Sequence, residues 1–134
     1  MQAVWEAVAK LHEAQRCFYA GGSSDALLEI LAKDVEWTVP GTNAIAGRYA
    51  GIDEVLAYFA RRRDLASGTL TMRTREILVG DGDHVAALTD GSALMGAVEE
   101  HWSTVGLYRL RGELIAACWL LPLDADQFDR IWSA

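Results

Sequence analysis

Two tight turns constrain the fold of this chain more than any other feature. "LMGAVE" places Gly96, and "LRGELI" places Gly112, at the first central position of a two-residue loop. Glycine at that position suits a type II′ turn, which joins adjacent antiparallel strands. Because the flanking segments largely alternate in polarity, we predict three successive strands at about residues 84–95, 98–110 and 114–121.

The same turns predict which side chains share a face of the sheet. With two-residue loops, Met95 pairs with Val98 and Arg111 pairs with Leu114, and directly opposed residues lie on one face. Counting from these pairs assigns to face one Thr89, Gly91, Ala93, Glu100, Trp102, Thr104, Gly106, Tyr108, Ala117, Trp119 and Leu121. Face two receives Asp90, Ser92, His101, Ser103, Val105, Leu107, Cys118 and Leu120. A shift of one residue in a strand would exchange its two faces.

The remaining segments predict helices, further strands and a loop. Helical spacing of apolar residues predicts a helix over about 3–20, a short one in "ALLEILA" and a third in "IDEVLAYFARRR". "DVEWTVPG" alternates like a strand, "TNAIAGRYAG" has the spaced glycines of a loop, and another strand is predicted over about 69–79. "DADQFDRIW" predicts one or two helical turns. This order indicates an α+β fold, with helices on one face of a curved sheet and a single domain over residues 1–134.

Charge and composition exclude several functions. The chain carries 12 Lys and Arg against 19 Asp and Glu, a formal net charge of −7, so it repels nucleic acid on average. Its longest apolar run, "LIAACWLLPL", is about half as long as a membrane-spanning helix requires, and the N-terminus resembles no signal peptide. Cys17 and Cys118 form no disulfide or metal pattern. We expect a cytoplasmic protein with no metal, nucleic-acid or membrane partner.

Face one mixes large aromatic side chains with glycine and alanine. Such a mixture predicts a hollow with aromatic walls, and an apolar hollow with few polar groups is the usual form of a small-molecule site. The alternative is that helices fill the hollow with their own side chains. On helix one, His12 and Gln15 lie three residues apart and either can point into it. "RRR" at 61–63 is interpreted as a solvated helix end, where cations suit the helix dipole.

Face two predicts a polar cluster. Asp90 lies opposite Ser103, His101 lies opposite Ser92, and Asp90 and His101 are diagonal neighbours. An Asp–His pair can transfer protons, and it can equally form a hydrogen-bonded patch at a subunit interface. Glu36 is a further candidate: buried, it would act as a general acid or base, and at the rim it would simply be solvated.

The order of these motifs resembles a known family. A strand ending in "WTVPG", then "GRYAGIDEVLAYFARR", two hairpins and "CWLLPLDADQFDRIW" are similar to the SnoaL-like branch of the nuclear transport factor two-like superfamily. That superfamily includes polyketide cyclases, ketosteroid isomerases, limonene epoxide hydrolases and scytalone dehydratases. The resemblance, over about residues 3–132, implies a cone-shaped curved mixed sheet with three N-terminal helices on its concave face. It also implies a deep pocket on that face and a homodimer through the convex face.

The resemblance also implies where acid–base groups should lie, and this chain is poor in them. The isomerases' strand acid aligns with Gly106, and the hydrolases' Asp–Arg–Asp set with Gly91, Ala93 and Leu121. An acid before the last-strand Trp aligns with Ala117, a histidine with Thr38, and the isomerase helix tyrosine falls near Gln15. Candidate catalytic residues are Glu36, Asp90 and His101. Candidate substrate-binding residues are Gln15, Thr38, Tyr49, Thr89, Trp102, Thr104, Tyr108 and Trp119.

Three functions stay open. The first is a cofactor-free enzyme that cyclises, isomerises or dehydrates an apolar, carbonyl-bearing, polyketide- or steroid-like substrate between Trp102, Trp119 and helices one and three. The second is a non-catalytic protein that binds or sequesters a small ligand. The third is a dimerisation module with a filled hollow. An open hollow with an acid–base group would favour the enzyme, and one without titratable groups would favour the binder.

Overall fold

The computed structural model describes residues 4–133, which form four helices and six strands. The elements in chain order are α1 (Val4–Tyr19), α2 (Asp25–Ile30), β1 (Leu31–Val39), β2 (Gly47–Ala50), α3 (Ile52–Leu65), β3 (Thr71–Val79), β4 (His84–Met95), β5 (Val98–Arg111), β6 (Leu114–Pro122) and α4 (Ala125–Ile131). The strands make one sheet in the order β2-β1-β6-β5-β4-β3. Only the β1–β6 pair among them is parallel. The predicted α+β class with a curved mixed sheet is confirmed.

The helices cover one face of this sheet, as predicted, but not as a single N-terminal block. Helix α1 packs on β3 and β4, and α3 packs on β1 and β2. Helix α2 has only six residues, and α3 follows two strands. Helix α4 adds a fourth element against β5 and buries Phe128 and Ile131, and Trp132, directly after the helix, is buried as well. Within residues 4–133, no helix is both long enough and apolar enough to cross a membrane.

The β4–β5 hairpin has the predicted register. Met95 pairs with Val98 and Gly91 pairs with Trp102. Gly96 begins the turn with φ of 68°. That left-handed conformation favours glycine, because a side chain there is strained. The buried row on β4 and β5 is therefore the one assigned to face one, and this face is concave.

Strand β6 departs from the predicted register, because it contains a β-bulge. Arg111 pairs with Leu114 as predicted, but Ala116 is an extra residue, and Tyr108 then pairs with Cys118 instead of Ala117. A bulge places two residues of one strand opposite one residue of its partner, so side-chain alternation shifts by one beyond it. Three assignments to face one are therefore wrong: Ala117, Trp119 and Leu121 belong to the convex row. Cys118 and Leu120 belong to the concave row.

The first strand is longer than predicted, and the predicted loop contains an edge strand. Strand β1 begins at Leu31, and β2 within "TNAIAGRYAG" pairs with it so that Tyr49 lies opposite Trp37. Trp37 is buried, which turns Glu36 and Thr38 to the convex side. Alternation alone left open which of these neighbours faces inward, and the bulky indole occupies the core side.

Candidate functional site

A small cavity lies on the concave face, between the sheet and helices α1 and α3. Its lining residues come from five strands and two helices: Gln15, Trp37, Arg62, Met72, Thr89, Gly91, Trp102, Thr104, Gly106, Tyr108 and Leu120. About 20 Å³ is open to the centre of a water-sized sphere. Because one water needs about 10–15 Å³ by this measure, the cavity has room for about one water. The predicted hollow therefore lies on the predicted face, but it is nearly filled.

Two glycines explain why the hollow is filled. A Cβ atom at Gly91 would lie 2.4 Å from Nε1 of Trp102, and one at Gly106 would lie 2.7 Å from the hydroxyl oxygen of Tyr108. The absence of a side chain at Gly91 leaves space for the ring of Trp102, and its absence at Gly106 leaves space for the ring of Tyr108. The mixture of aromatic and very small residues on face one produces close packing, where the sequence pattern predicted open space.

A buried histidine contacts the hydroxyl of Tyr108. His12 is 2% exposed, its Nε2 atom lies 3.1 Å from the Tyr108 hydroxyl oxygen, and its Nδ1 atom hydrogen-bonds the hydroxyl of Thr74. Burial, with the nearby charge of Arg16 as a second cause, lowers the pKa of His12 to about 4. Burial raises the pKa of Tyr108 well above its ordinary value. At neutral pH the imidazole is therefore neutral and the phenol keeps its proton.

Arg62 is a buried cation at the same cavity. Its residue is 5% exposed, and its guanidinium carbon lies 5.1 Å from the ring centre of Trp132, 5.6 Å from that of Tyr19 and 5.8 Å from that of Tyr58. Nη1 donates to the Tyr19 hydroxyl at 3.4 Å. Among residues 4–133, no carboxylate forms an ion pair with Arg62. The aromatic faces attract the charge but offer its N–H groups few acceptors.

Unsatisfied polar atoms gather around this cation and the cavity. Within residues 4–133, the buried side-chain atoms without a hydrogen-bond partner are Gln15 Oε1, Trp37 Nε1, Tyr58 Oη, Arg62 Nε and Trp132 Nε1. Leaving one such group unsatisfied costs about 1–3 kcal/mol, so buried polar groups are normally paired. A core selected only for stability would not concentrate them in one place. The lining of this part of the interior therefore includes hydrogen-bonding groups that the protein itself does not pair.

Five of the predicted substrate-binding residues line the cavity together: Gln15, Thr89, Trp102, Thr104 and Tyr108. Three do not. Trp119 lies on the convex face, with its ring stacked at 6.3 Å and 25° on His84, and Thr38 lies beside it. Tyr49 donates its hydroxyl to the carbonyl of Ile45 at 2.7 Å.

The three candidate catalytic residues all lie outside the cavity. Glu36 pairs with Arg48 at 2.8 Å on the convex side. Asp90 accepts a hydrogen bond from Ser103 at 2.6 Å and pairs with Arg75 at 2.9 Å, and these contacts hold the pKa of its carboxyl below the usual range.

His101 is 69% exposed in its side chain and faces Glu99 at 3.4 Å. The predicted Asp90–His101 contact is not formed, because Asp90 pairs with Arg75 and the His101 ring turns to Glu99. Both residues lie in a surface groove beside the start of α4. Among the described residues, no group of three His, Cys, Asp or Glu side chains is placed to hold a metal ion.

Arg62 was missed because it belongs to three consecutive arginines. The buried residues of α3 are Val55, Tyr58, Phe59 and Arg62. Their spacing of three, four and seven residues is that of one helix face, so the sequence contains a signal that separates Arg62 from its neighbours. Arg61 points outward, and its Nε donates to the carbonyl of Ala44 at 2.9 Å.

A wider groove lies next to the cavity. It has an open volume of about 440 Å³ between the β4–β5 hairpin and the C-terminal residues, and its lining includes Leu65, Val98 and Trp132. Glu100 and Arg130, which also line it, form an ion pair at 2.6 Å. Trp132 packs edge-to-face on Trp102 at 5.3 Å. Because Trp132 contacts both the groove and Arg62, its ring is a wall between the groove and the interior.

The chain is an α+β protein whose curved sheet holds a small, mainly apolar cavity on its concave face. The model of the SnoaL-like domain matches residues 12–118. The chain belongs to this family, and the predicted SnoaL-like resemblance is confirmed.

The relatives found by sequence are themselves uncharacterized. The chain is 34% identical over 70 residues to the proteins Rv0034 of Mycobacterium tuberculosis and Mb0035 of Mycobacterium bovis. The match covers 52% of this chain and 53% of each relative. It thus spans about half the length of these curated relatives.

Solved structures share the fold over nearly the whole chain. Bal32a, from a soil-derived mobile gene cassette, has a TM-score of 0.86 at 19% identity and covers 96% of this chain and 98% of its own. TerC, co-crystallized with polyporic acid, has a TM-score of 0.76 at 19% identity and covers 96% of both chains. A protein described as a candidate polyketide cyclase, SMa1630 of Sinorhizobium meliloti, has a TM-score of 0.69 at 20% identity and covers 86% and 93%.

Proposed function

We propose that this protein is a SnoaL-like enzyme that binds an apolar, carbonyl-bearing small molecule in the concave cavity. The reaction is cofactor-free isomerisation, cyclisation or dehydration through an enol or enolate. The observation that carries this proposal is the buried, neutral His12 hydrogen-bonded to the Tyr108 hydroxyl at the cavity wall. The candidate cyclase SMa1630 and the co-crystal of TerC, both of the same fold, support a small-molecule site on this architecture.

Tyr108 is the catalytic residue of this proposal, and His12 is its positioning and proton-holding partner. The phenol keeps its proton because burial raises its pKa, so it donates to the substrate carbonyl oxygen. As charge develops on that oxygen, a donor in a dry cavity stabilises it more than it would in water. When a proton leaves the substrate carbon, the Tyr108 oxygen accepts it and passes its own proton to Nε2 of His12. Tyr108 then gives one proton to a different substrate carbon while His12 returns its Nε2 proton to the Tyr108 oxygen, so the substrate loses one proton and regains one in the isomerisation.

The low pKa of His12 is compatible with this relay. In the ligand-free protein, burial makes the imidazole a weak base. An opposite charge nearby favours the protonated form and raises the pKa of a histidine. An enolate at the Tyr108 hydroxyl supplies that charge at the moment when the proton must move.

The cavity must widen to admit such a substrate, since 20 Å³ holds about one water. The groove beyond Trp132 offers the space, because its open volume is about 440 Å³. Displacement of the Trp132 ring joins this groove to the cavity. The substrate then lies against Trp102, Thr89 and Thr104, which line the wall between Tyr108 and the groove.

The second candidate function is a dimerisation module, and the nearly filled hollow is the observation that favours it. The convex face supports self-association under either function. The apolar side chains at its centre are only half-buried or exposed: Leu88, Val105, Leu107, Trp119 and Leu121. We propose that two copies pack these faces together.

Exchange of α-hydrogens tests the enzyme directly. The probe is 2-acetylnaphthalene in D₂O, with exchange of its methyl hydrogens followed by proton NMR. We expect the protein to accelerate exchange, Tyr108→Phe to abolish the acceleration, and His84→Gln, at an exposed histidine, to retain it. Binding without exchange would favour a non-catalytic binder. Absence of binding to any small ligand would favour the dimerisation module.

A further inference from the structure

We propose that Arg62 binds an anionic oxygen of the ligand, so that the cavity selects an apolar molecule that carries a carboxylate or an ionised enol over its neutral analogue. This inference rests on the proposed function and names the class of ligand that the same site takes. It assigns the recognition of charge to α3, and the proton relay to α1 and β5.

The first argument is the missing counter-charge. Arg62 is charged at every physiological pH, and a buried charge is stable only when it is paired or fully hydrogen-bonded. Its residue is 5% exposed, yet its Nε atom has no hydrogen-bond partner. The hydrogen bond from its Nη1 atom to the Tyr19 hydroxyl is long at 3.4 Å. Among residues 4–133 no acidic side chain pairs with it, so an anion from outside is the partner that fits.

The second argument is the chemistry of the surrounding atoms. Besides Arg62 Nε, the unpartnered buried atoms near the guanidinium include the hydroxyl of Tyr58 and the indole nitrogen of Trp132. The indole nitrogen of Trp37, whose ring lies 6.3 Å from that of Tyr58, is unpartnered too. An indole N–H is only a donor, and a phenol is a donor to any ionised oxygen. Arg62 Nε and these three further donors form a set of N–H and O–H groups suited to an oxygen anion.

The third argument is the selection of one arginine out of three. Arg61 and Arg63 of α3 have exposed or half-buried side chains, whereas Arg62 falls in the buried stripe with Tyr58 and Phe59. A leucine or methionine at that position would fill the same stripe without a charge to compensate. Replacing a buried charge by a well-packed apolar residue is often neutral or stabilising. The stability of the fold alone therefore does not explain this arginine.

The test compares the matched pair 2-naphthoate and 2-naphthamide, with 2-acetylnaphthalene as a neutral ketone, by isothermal titration calorimetry. Charge-assisted hydrogen bonds to a buried group change affinity by about ten-fold or more. We expect the protein to bind the naphthoate at least about ten-fold more tightly than the amide. Arg62→Met should remove that preference, and Arg61→Met, which removes the same charge from the exposed side of α3, should retain it.

Thermal unfolding of the ligand-free variants gives a second readout. We expect Arg62→Met to melt at the same temperature as the wild type or higher. Arg62→Lys keeps the charge but loses the planar fork, so it should fold and show a weakened preference for the naphthoate. If Arg62→Met melts far below the wild type or does not fold, Arg62 is a structural cation and the inference is overturned.

The outcomes separate this inference from the proposed function. If the amide and the ketone bind as tightly as the naphthoate, the cavity binds small molecules but Arg62 does not recognise an anion. If Arg62→Met still prefers the naphthoate, another group carries the recognition. If none of the three probes binds, the proposed function fails as well.

Discussion

The Nε2 atom of His12 lies 3.1 Å from the hydroxyl oxygen of Tyr108, and both residues are at most 3% exposed. Helix α1 and strand β5 are joined at this point by two groups that titrate far from neutral pH. A contact between buried, uncharged partners has a measurable consequence for stability.

Stability should fall in mild acid because of His12. Its pKa is about 4 in the folded protein and 6.5 in the unfolded chain, so protons bind preferentially to the unfolded state between these values. The contribution is complete above about pH 6.5 and is lost as the pH falls to about 4. The shift corresponds to about 3 kcal/mol of unfolding free energy, measurable by urea denaturation across this range. His12→Gln should flatten the profile and His84→Gln should not; equal profiles for both variants would contradict the assignment.

Removing the Tyr108 hydroxyl should destabilise the fold. Tyr108→Phe leaves one ring nitrogen of His12 buried without a partner, which costs about 1–3 kcal/mol. Tyr58→Phe is the comparison, because the Tyr58 hydroxyl is buried beside the Arg62 guanidinium without a hydrogen bond of ordinary geometry, so its loss should cost less. Chemical denaturation of both variants measures the difference. A loss of the same size in Tyr58→Phe would mean that the contact with His12 carries no particular weight.

Gly106→Ala should also disturb the contact between Tyr108 and His12. The new Cβ would lie 2.7 Å from the Tyr108 hydroxyl oxygen, which is buried and cannot retreat without breaking its contact with His12. Overpacking of this kind costs about 1–3 kcal/mol. Gly80→Ala provides the comparison, since its Cβ would meet nothing closer than the carbonyl oxygen of His84 at 3.7 Å. Melting temperatures should separate the variants, and similar values would mean that the Tyr108 ring adapts freely.

A charge on the convex face should prevent self-association. Leu121 is 45% exposed at the centre of this face, and Leu121→Glu would place a carboxylate between the two proposed copies. Leu28 on α2 is 50% exposed, so Leu28→Glu makes the same chemical change away from the sheet. Light scattering after size exclusion should show a dimer for the wild type and Leu28→Glu, and a monomer for Leu121→Glu. A wild-type monomer would remove the convex-face dimer from consideration.

The predictable parts of this molecule are those fixed by local geometry. Gly96 determined the register of β4 and β5, and with it the inward position of Trp102 and the outward position of Asp90. Turn chemistry and alternation are properties of short segments, and no distant contact overrode them here.

The remaining errors concern features that depend on distant contacts. The bulge at Ala116 has no local signature, and the inward direction of Trp37 is decided by helix α3, whose Phe59 ring lies 5.0 Å from it. Arg62 belongs to the buried face of α3, but its arginine neighbours in the sequence led to its interpretation as part of a solvated helix end. Gly91 and Gly106 predict open space from the sequence alone, because only the folded structure shows that the rings of Trp102 and Tyr108 fill it.

The extra residue in β6 affects how the cavity lining can differ between related sequences. Insertion or loss of one residue at Ala116 would exchange the concave and convex side chains of the rest of β6. No other residue of the strand would need to change. Trp119 would then enter the cavity, and Cys118 and Leu120 would reach the surface. A single length change in this strand would therefore remodel the lining of the concave cavity. Relatives should therefore be aligned here by the bulge and not by the position of the tryptophan.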